Sequence, residues 1–194
     1  MAGQAFEKLA LERLLRFLGP TAYLAPTGGA YDGGLDALGR WLVRGSSVAG
    51  ETDRFTQVAL AVQCKRMRRA IGPDVVREFE GAVRNWQREQ SPAATSFTRV
   101  SDVLGLICVS PRFTEAAITV ANRNAVPLAL VVLAHSRSSL PEAPERDEPV
   151  IAQFRFNTAA RSLLPSVNIA TKKIPFVSLC GCPAVTERLV LDYD

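Results

Sequence analysis

The sequence predicts an α/β sandwich, a mixed central β-sheet flanked by helices, closed by a short β-rich C-terminal extension. Three observations predict it. Helical and strand-like segments alternate along most of the chain, the order of a layered α/β domain. The apolar runs Leu104 to Ser110 and Pro127 to Ala134 read as buried strands. Leu35 to Val43 and Gln57 to Lys65 flank a polar stretch, Gly45 to Arg54, and read as a hairpin, so the sheet is mixed. A chain of 194 residues suits one domain, 1–194, with a core over 4–134 and an extension over 150–194.

The elements follow in order. Phe6, Leu11, Leu14, Leu15 and Leu18 recur at helical spacing, so Gln4 to Leu18 is a helix, stopped by Gly19-Pro20. Glycines 28, 29, 33 and 34 make a loop before the hairpin. Because that loop precedes a strand instead of joining a strand to a helix, a dinucleotide fingerprint is excluded. Residues 66–72 are a basic turn, and Asp74 to Trp86 is a helix with Val75, Val76, Phe79 and Val83 on one stripe. Gln87 to Val100 is polar, contains Pro92 and reads as a loop. Thr114 to Asn124 is a helix between the two buried strands. Ser136 to Glu148, rich in Ser, Pro and Glu, is expected to be the most flexible segment. Val150 to Phe156 is a strand, Thr158 to Leu164 a short helix, Val167 to Thr171 a strand, and 174–194 one or two short strands.

Composition narrows the function. Hydrophobic residues make up 47% and charged residues 22%, enough apolar surface for a core, so wholesale disorder is excluded. No apolar run approaches the length of a membrane-spanning helix. The net charge of +4 is built from 19 Arg and 4 Lys. Residues 1–100 carry 14 basic and 10 acidic groups, residues 101–194 nine of each, so the excess lies in the first half. Arginine suits bidentate phosphate contacts, and a basic excess is compatible with nucleic acid without establishing it. Cys64 and Cys108 fall in strand-like runs and read as buried free thiols. Cys180 and Cys182 form a Cys-Gly-Cys turn. With the lone His135 they do not make a four-ligand zinc site, and two reduced thiols are expected there. No secretory signal pattern opens the chain, which enters a helix almost at once; any transit sequence is expected to have been removed or never to have existed.

The residues that carry chemistry gather around the hairpin. Gln63 and Lys65 are two apart on a strand, so their side chains leave the same face. Either that face is a cleft, or the pair marks a solvated strand end. Asp36 enters the preceding strand, where hairpin pairing brings it toward Gln63 and Lys65. Glu7 shares the line of Leu11, Leu14 and Leu18 on the first helix, an unusual place for a carboxylate; a helix-end residue at the rim of the core is the alternative. Two carboxylates, an amide oxygen and an ammonium suit Mg²⁺ and a phosphate substrate. Arg66, Arg68 and Arg69 follow the lysine and read as phosphate-backbone contacts, with a solvated turn as the alternative. Arg112 is a further candidate of the same kind. No base-reading set is evident on any helix, so cleavage is expected to be structure-selective or only weakly sequence-specific.

Five blocks, in order, carry a resemblance: Phe6-Glu7, Asp-Gly-Gly-Leu-Asp (32–36), Val-Gln-Cys-Lys (62–65), Val-Arg-Glu-Phe-Glu-Gly-Ala (76–82) and Val-Ser-Pro-Arg-Phe-Thr-Glu-Ala-Ala (109–117). They resemble the Mrr-like branch of the PD-(D/E)xK restriction endonuclease-like superfamily. Asp36-Ala-Leu-Gly-Arg-Trp41, Gly105-Leu-Ile-Cys-Val-Ser-Pro111 and Gln153-Phe-Arg-Phe-Asn157 are in addition similar to a fungal mitochondrial subfamily required for respiratory growth and mitochondrial genome maintenance. The resemblance implies a restriction endonuclease-like sandwich and a Mg²⁺- or Mn²⁺-dependent DNA nuclease located in mitochondria. It matches Asp36 to the metal-binding Asp, Gln63 to the usual Glu or Asp, Lys65 to the motif lysine and Glu7 to an additional helix carboxylate. Gln63 departs from the acidic pattern as Mrr-like proteins do. Related nucleases often act as dimers, so a homodimer is an expected partner state beside DNA. Two other classes stay open: a DNA-binding module of the same fold without catalysis, and an assembly factor that holds a protein partner through its C-terminal extension.

Overall fold

A computed structural model describes residues 2–28, 33–44, 55–90, 103–135, 149–177 and 183–193. The opening helix α1 (Ala2–Leu18) leads through Gly19, which sits at φ 88°, into strand β1 (Ala22–Pro26). Then come β2 (Ala37–Arg44), β3 (Phe55–Arg66), α2 (Pro73–Gln90), β4 (Val103–Ser110), α3 (Glu115–Arg123), β5 (Leu128–His135), β6 (Pro149–Phe156), α4 (Thr158–Leu163), β7 (Val167–Val177) and β8 (Pro183–Tyr193). Six strands form one sheet in the order β1-β2-β3-β4-β5-β6, and β7 pairs with β8 in a second. The hairpin β2–β3 and the pairs β1–β2 and β5–β6 are antiparallel; β3–β4 and β4–β5 are parallel. The expected mixed α/β sandwich is therefore the observed one.

Each face of the sheet buries its own core. On one side, Leu11, Leu14 and Leu18 of α1 pack on Trp41, Leu60, Val62, Cys64, Leu106 and Val131. On the other, Val76, Phe79 and Val83 of α2 and Ala117 and Ala121 of α3 cover Ala61, Ile107, Leu128 and Leu130. This alternation along β3 follows from the two-residue period of a strand: even positions face α1, odd positions face α2. The two parallel pairings take α2 and α3 as their crossovers, as parallel strands require.

The differences from the sequence reading lie at the margins. β1 was not anticipated. α2 runs on to Gln90, past the expected end at Trp86. The tail is one long hairpin, β7 to Val177 and β8 from Pro183, in place of a strand ending at Thr171 and one or two short strands. The expected turn at Cys180 and Cys182, the polar stretch 45–54 and the segment 136–148 lie outside the described residues.

Candidate nuclease site

The site is assembled at the carboxyl ends of the parallel strands β3 and β4. Asp36 just precedes β2 and is pinned by its backbone: its N–H donates to Val62 O at 2.8 Å, and its carbonyl accepts from Thr27 N at 3.0 Å. The Thr27 hydroxyl also donates to Leu35 O. So fixed, the Asp36 carboxylate reaches β3, where Oδ2 accepts the Cys64 N–H at 2.6 Å. Cys64 is the residue between Gln63 and Lys65, so hairpin pairing does bring Asp36 to that pair.

Gln63 is 4% exposed. Its Nε2 donates to Gly34 O at 2.7 Å, which fixes the amide orientation and turns Oε1 the other way. Oε1 is buried and has no hydrogen-bond partner. The glycine is needed there: Gly34 has φ 83°, and an added Cβ would come within 3.4 Å of Gln63 Nε2. A buried amide oxygen left without a donor costs free energy unless something else satisfies it. Lys65 leaves the same face, 27% exposed, and its Nζ lies 3.0 Å from Glu78 Oε2 on α2. Glu78 is 64% exposed. The sequence had shown Glu78 only as part of a motif block; its place in the second turn of α2 gave no sign that it reaches the lysine.

The basic residues share this end. The segment after β3 is zipped to the segment after β4: Met67 N–H donates to Ser110 O at 2.9 Å and Ile71 N–H to Arg112 O at 2.8 Å. Arg66, Arg68, Arg69 and Arg112 are all exposed. Arg66 at the end of β3, Arg68 and Arg69 just after it and Arg112 just after β4 thus lie on segments joined beyond Lys65. Glu7 is half-buried on α1, which packs on the opposite face of β3, the face of Val62 and Cys64. The structure thus brings Asp36 to β3 at the residue between Gln63 and Lys65, and sets Glu7 on the helix that covers the Val62 and Cys64 face of that strand. Cys64 and Cys108 are register partners and free, buried thiols, as expected. Burial pushes the Cys108 thiol up, helped by its hydrogen bond to Cys64 and by the charge of Asp36, so it stays protonated.

The family model for the Mrr catalytic restriction endonucleases, described as restriction endonuclease, matches residues 1–135. This chain belongs to that restriction endonuclease family. The match spans α1 through β5 and takes in every residue of the candidate site. Among solved structures, the chain is similar to the MspJI restriction endonuclease in complex with a 27-mer oligonucleotide, at 19% identity and a TM-score of 0.43. That likeness covers 66% of this chain and only 25% of the other. No curated protein matches the chain. The family is one of nuclease-type enzymes, and its domains generally use divalent metal ions.

The residues present fit such an ion. Oxygen is the ligand type that Mg²⁺ and Mn²⁺ prefer, and both the Asp36 carboxylate, held on the Cys64 N–H, and the orphaned Oε1 of neighbouring residue Gln63 are of that type. Among the described residues no three His, Cys, Asp or Glu side chains form a cluster able to hold an ion alone. A cation here would draw on the amide oxygen, water and substrate phosphate in addition to Asp36, as Mg²⁺ commonly does.

Proposed function

We propose that this restriction endonuclease-family chain is a Mg²⁺- or Mn²⁺-dependent DNA endonuclease that hydrolyses phosphodiester bonds in mitochondrial genome maintenance. The observation that carries the chemistry is Gln63 Oε1, a buried oxygen without a hydrogen-bond partner, one residue from the Cys64 N–H that holds the Asp36 carboxylate and two residues from Lys65 on the same strand. The mitochondrial setting rests on the sequence resemblance alone. Asp36 and Gln63 would hold the cation, with Glu7 as a candidate further carboxylate; the cation supplies Lewis acidity and lowers the pKa of bound water.

The chain's own residues do the rest. Gly34 O holds the Gln63 amide so that its oxygen is presented without rearrangement. Lys65 stands where an ammonium offsets charge on the scissile phosphate and orients the attacking water. To do so it leaves Glu78, an exchange that costs little because the pair is largely solvated. Arg66, Arg68, Arg69 and Arg112 bind the phosphate backbone, which sets position without reading sequence.

One observation favours a second reading, a DNA-binding module without turnover: Gln63 is neutral where a carboxylate would bind the cation more tightly. One experiment separates them. Purified protein is incubated with duplex, branched and single-stranded DNA in Mg²⁺ or Mn²⁺, with Lys65→Ala alongside. Cleavage by the wild type, lost in Lys65→Ala while DNA binding persists, is the expected result. Equal turnover by both chains overturns the mechanism. Binding without turnover selects the second reading; neither binding nor turnover selects an assembly factor acting through β7–β8.

A further inference from the structure

The short strap Gly34-Leu35-Asp36 governs both candidate oxygen ligands. Gly34 O accepts from Gln63 Nε2 at 2.7 Å and so sets where Oε1 points, while Asp36 itself supplies the carboxylate. A displaced strap therefore disturbs both ligands at once. The chain enters it through Gly33 and Gly34, at φ 65° and 83°, backbone that glycine adopts at no steric cost. A joint of two such residues does not fix the strap, so its neighbours must.

The Leu35 side chain, 2% exposed, is sunk in the core under α2. The Asp36 N–H donates to Val62 O at 2.8 Å. Thr27, the half-buried residue that follows β1, grips the strap twice. Its N–H donates to Asp36 O at 3.0 Å, and its hydroxyl donates to Leu35 O. The first bond extends the β1–β2 ladder by one pair beyond Pro26 and Ala37, and any residue except proline makes it. The second needs a hydroxyl on a short side chain at position 27. Leu35 O belongs to the peptide group that joins Leu35 to Asp36. Tilting that group swings the Asp36 carboxylate and turns the preceding peptide, which bears Gly34 O.

We propose that Thr27 is a positioning residue of the cation site: its hydroxyl, bonded to Leu35 O, holds the strap from which Asp36 and, through Gly34 O, Gln63 present their oxygens to a divalent cation. The proposal rests on the reading that Asp36 and Gln63 take Mg²⁺ or Mn²⁺. Groups that orient metal ligands through hydrogen bonds control metal affinity although they never touch the ion. A hydroxyl that merely sealed the end of β1 would stabilise the fold and leave cation affinity unchanged.

The test is Mn²⁺ titration of the full chain without DNA, read from the EPR signal of the free ion, for wild type, Thr27→Val, Thr27→Ala, Thr27→Ser and Asp36→Ala. Thr27→Val keeps the branched shape and the backbone N–H and removes the donor; Thr27→Ala removes the same donor with less bulk; Thr27→Ser keeps it. Wild-type binding that Asp36→Ala abolishes is binding at the candidate site. That binding should weaken by at least about tenfold in Thr27→Val and Thr27→Ala and stay within about threefold in Thr27→Ser. Calorimetry gives a second readout: Mg²⁺ should raise the melting temperature of the wild type and Thr27→Ser more than that of the two donor-free variants, each compared with its own ion-free value. Circular dichroism checks folding, and either donor-free variant that folds decides the matter. A donor-free variant that keeps wild-type Mn²⁺ affinity and the wild-type Mg²⁺ response, even if it melts lower without the ion, overturns the proposal and leaves the cation reading standing. Equal weakening in Thr27→Ser also overturns it, because the hydroxyl is then not what matters. A wild type with no Mn²⁺ binding that Asp36→Ala abolishes overturns the cation reading, and the proposal with it.

Discussion

At Gln63 the backbone and the chemistry make opposite demands on one side chain. The Nε2 end is a structural group, tied to Gly34 O; the Oε1 end is buried with nothing to bind. Gln63→Glu separates these roles. A carboxylate cannot donate to Gly34 O, and it buries a charge close to Asp36. Without divalent ions the variant should therefore lose about 1–3 kcal/mol of stability. Added Mg²⁺ should raise its melting temperature more than that of the wild type, because an ion that binds only the folded chain stabilises it by mass action. Equal Mg²⁺ responses, read by calorimetry, would show that position 63 is not a ligand position. Glu78 gives a second residue-scale prediction. Glu78→Gln should leave stability within about 1 kcal/mol, since the ion pair is exposed. It should tighten DNA binding at low salt, where one carboxylate fewer competes for Lys65, and the gain should vanish at high salt. Much of this site was legible in the sequence. The two-residue spacing placed Gln63 and Lys65 on one face, and the hairpin placed Asp36 beside them. The Glu78 contact was not legible, because it depends on where α2 crosses β3, and no local pattern encodes that.

At the scale of elements, the segments read correctly were those whose signal is local and those missed were those whose partner supplies it. α3 announces itself: Thr114 caps its first turn, the hydroxyl accepting from Ala117 N at 3.1 Å. β1 does not. Ala-Tyr-Leu-Ala-Pro is five residues ending in proline, and it becomes a strand because Gly39 lets it lie close to β2; an added Cβ at Gly39 would come 1.9 Å from Tyr23 O. The β7–β8 hairpin is equally hard to read, since Pro175 and the lysines at 172 and 173 interrupt any alternation. The segment Gln153 to Asn157 first mattered as a family block, and the structure gives its last residue a mechanical reason. Asn157 is 1% exposed; its Nδ2 donates to Ala121 O and Val126 O, each at 2.9 Å, and its Oδ1 accepts from Leu128 N and Ala160 N. One side chain thus ties the end of α3, the start of β5 and the first turn of α4. Asn157→Ala would leave several buried groups unpaired and should cost at least about 3 kcal/mol. Denaturant unfolding measures it, and a loss below about 1 kcal/mol would show that water replaces the side chain.

For the whole molecule the decisive property is polarity, since a net charge of +4 over 194 residues is modest. The hydrogen bonds from Met67 to Ser110 and from Ile71 to Arg112 gather Arg66, Arg68, Arg69 and Arg112 at the end of the sheet that carries Lys65. A concentrated patch of this kind binds DNA by releasing counterions, so affinity should fall as salt rises, with a log–log slope of about −0.9 for each phosphate contact. Arg68→Ala/Arg69→Ala removes two such contacts and should flatten the slope by about 1.8. The loss should be the same for unrelated duplex sequences, because backbone contacts position DNA without reading it. Catalysis at saturating DNA should survive, since neither arginine lies in the strand that holds Gln63 and Lys65. Titration of two unrelated duplexes over a range of salt concentrations measures the slope, and single-turnover cleavage measures the chemistry. An unchanged slope would place the DNA elsewhere on the molecule. A slope that flattens for one duplex and not the other would mean that these arginines read bases, and the structure-selective, weakly sequence-specific mode of action would have to be abandoned.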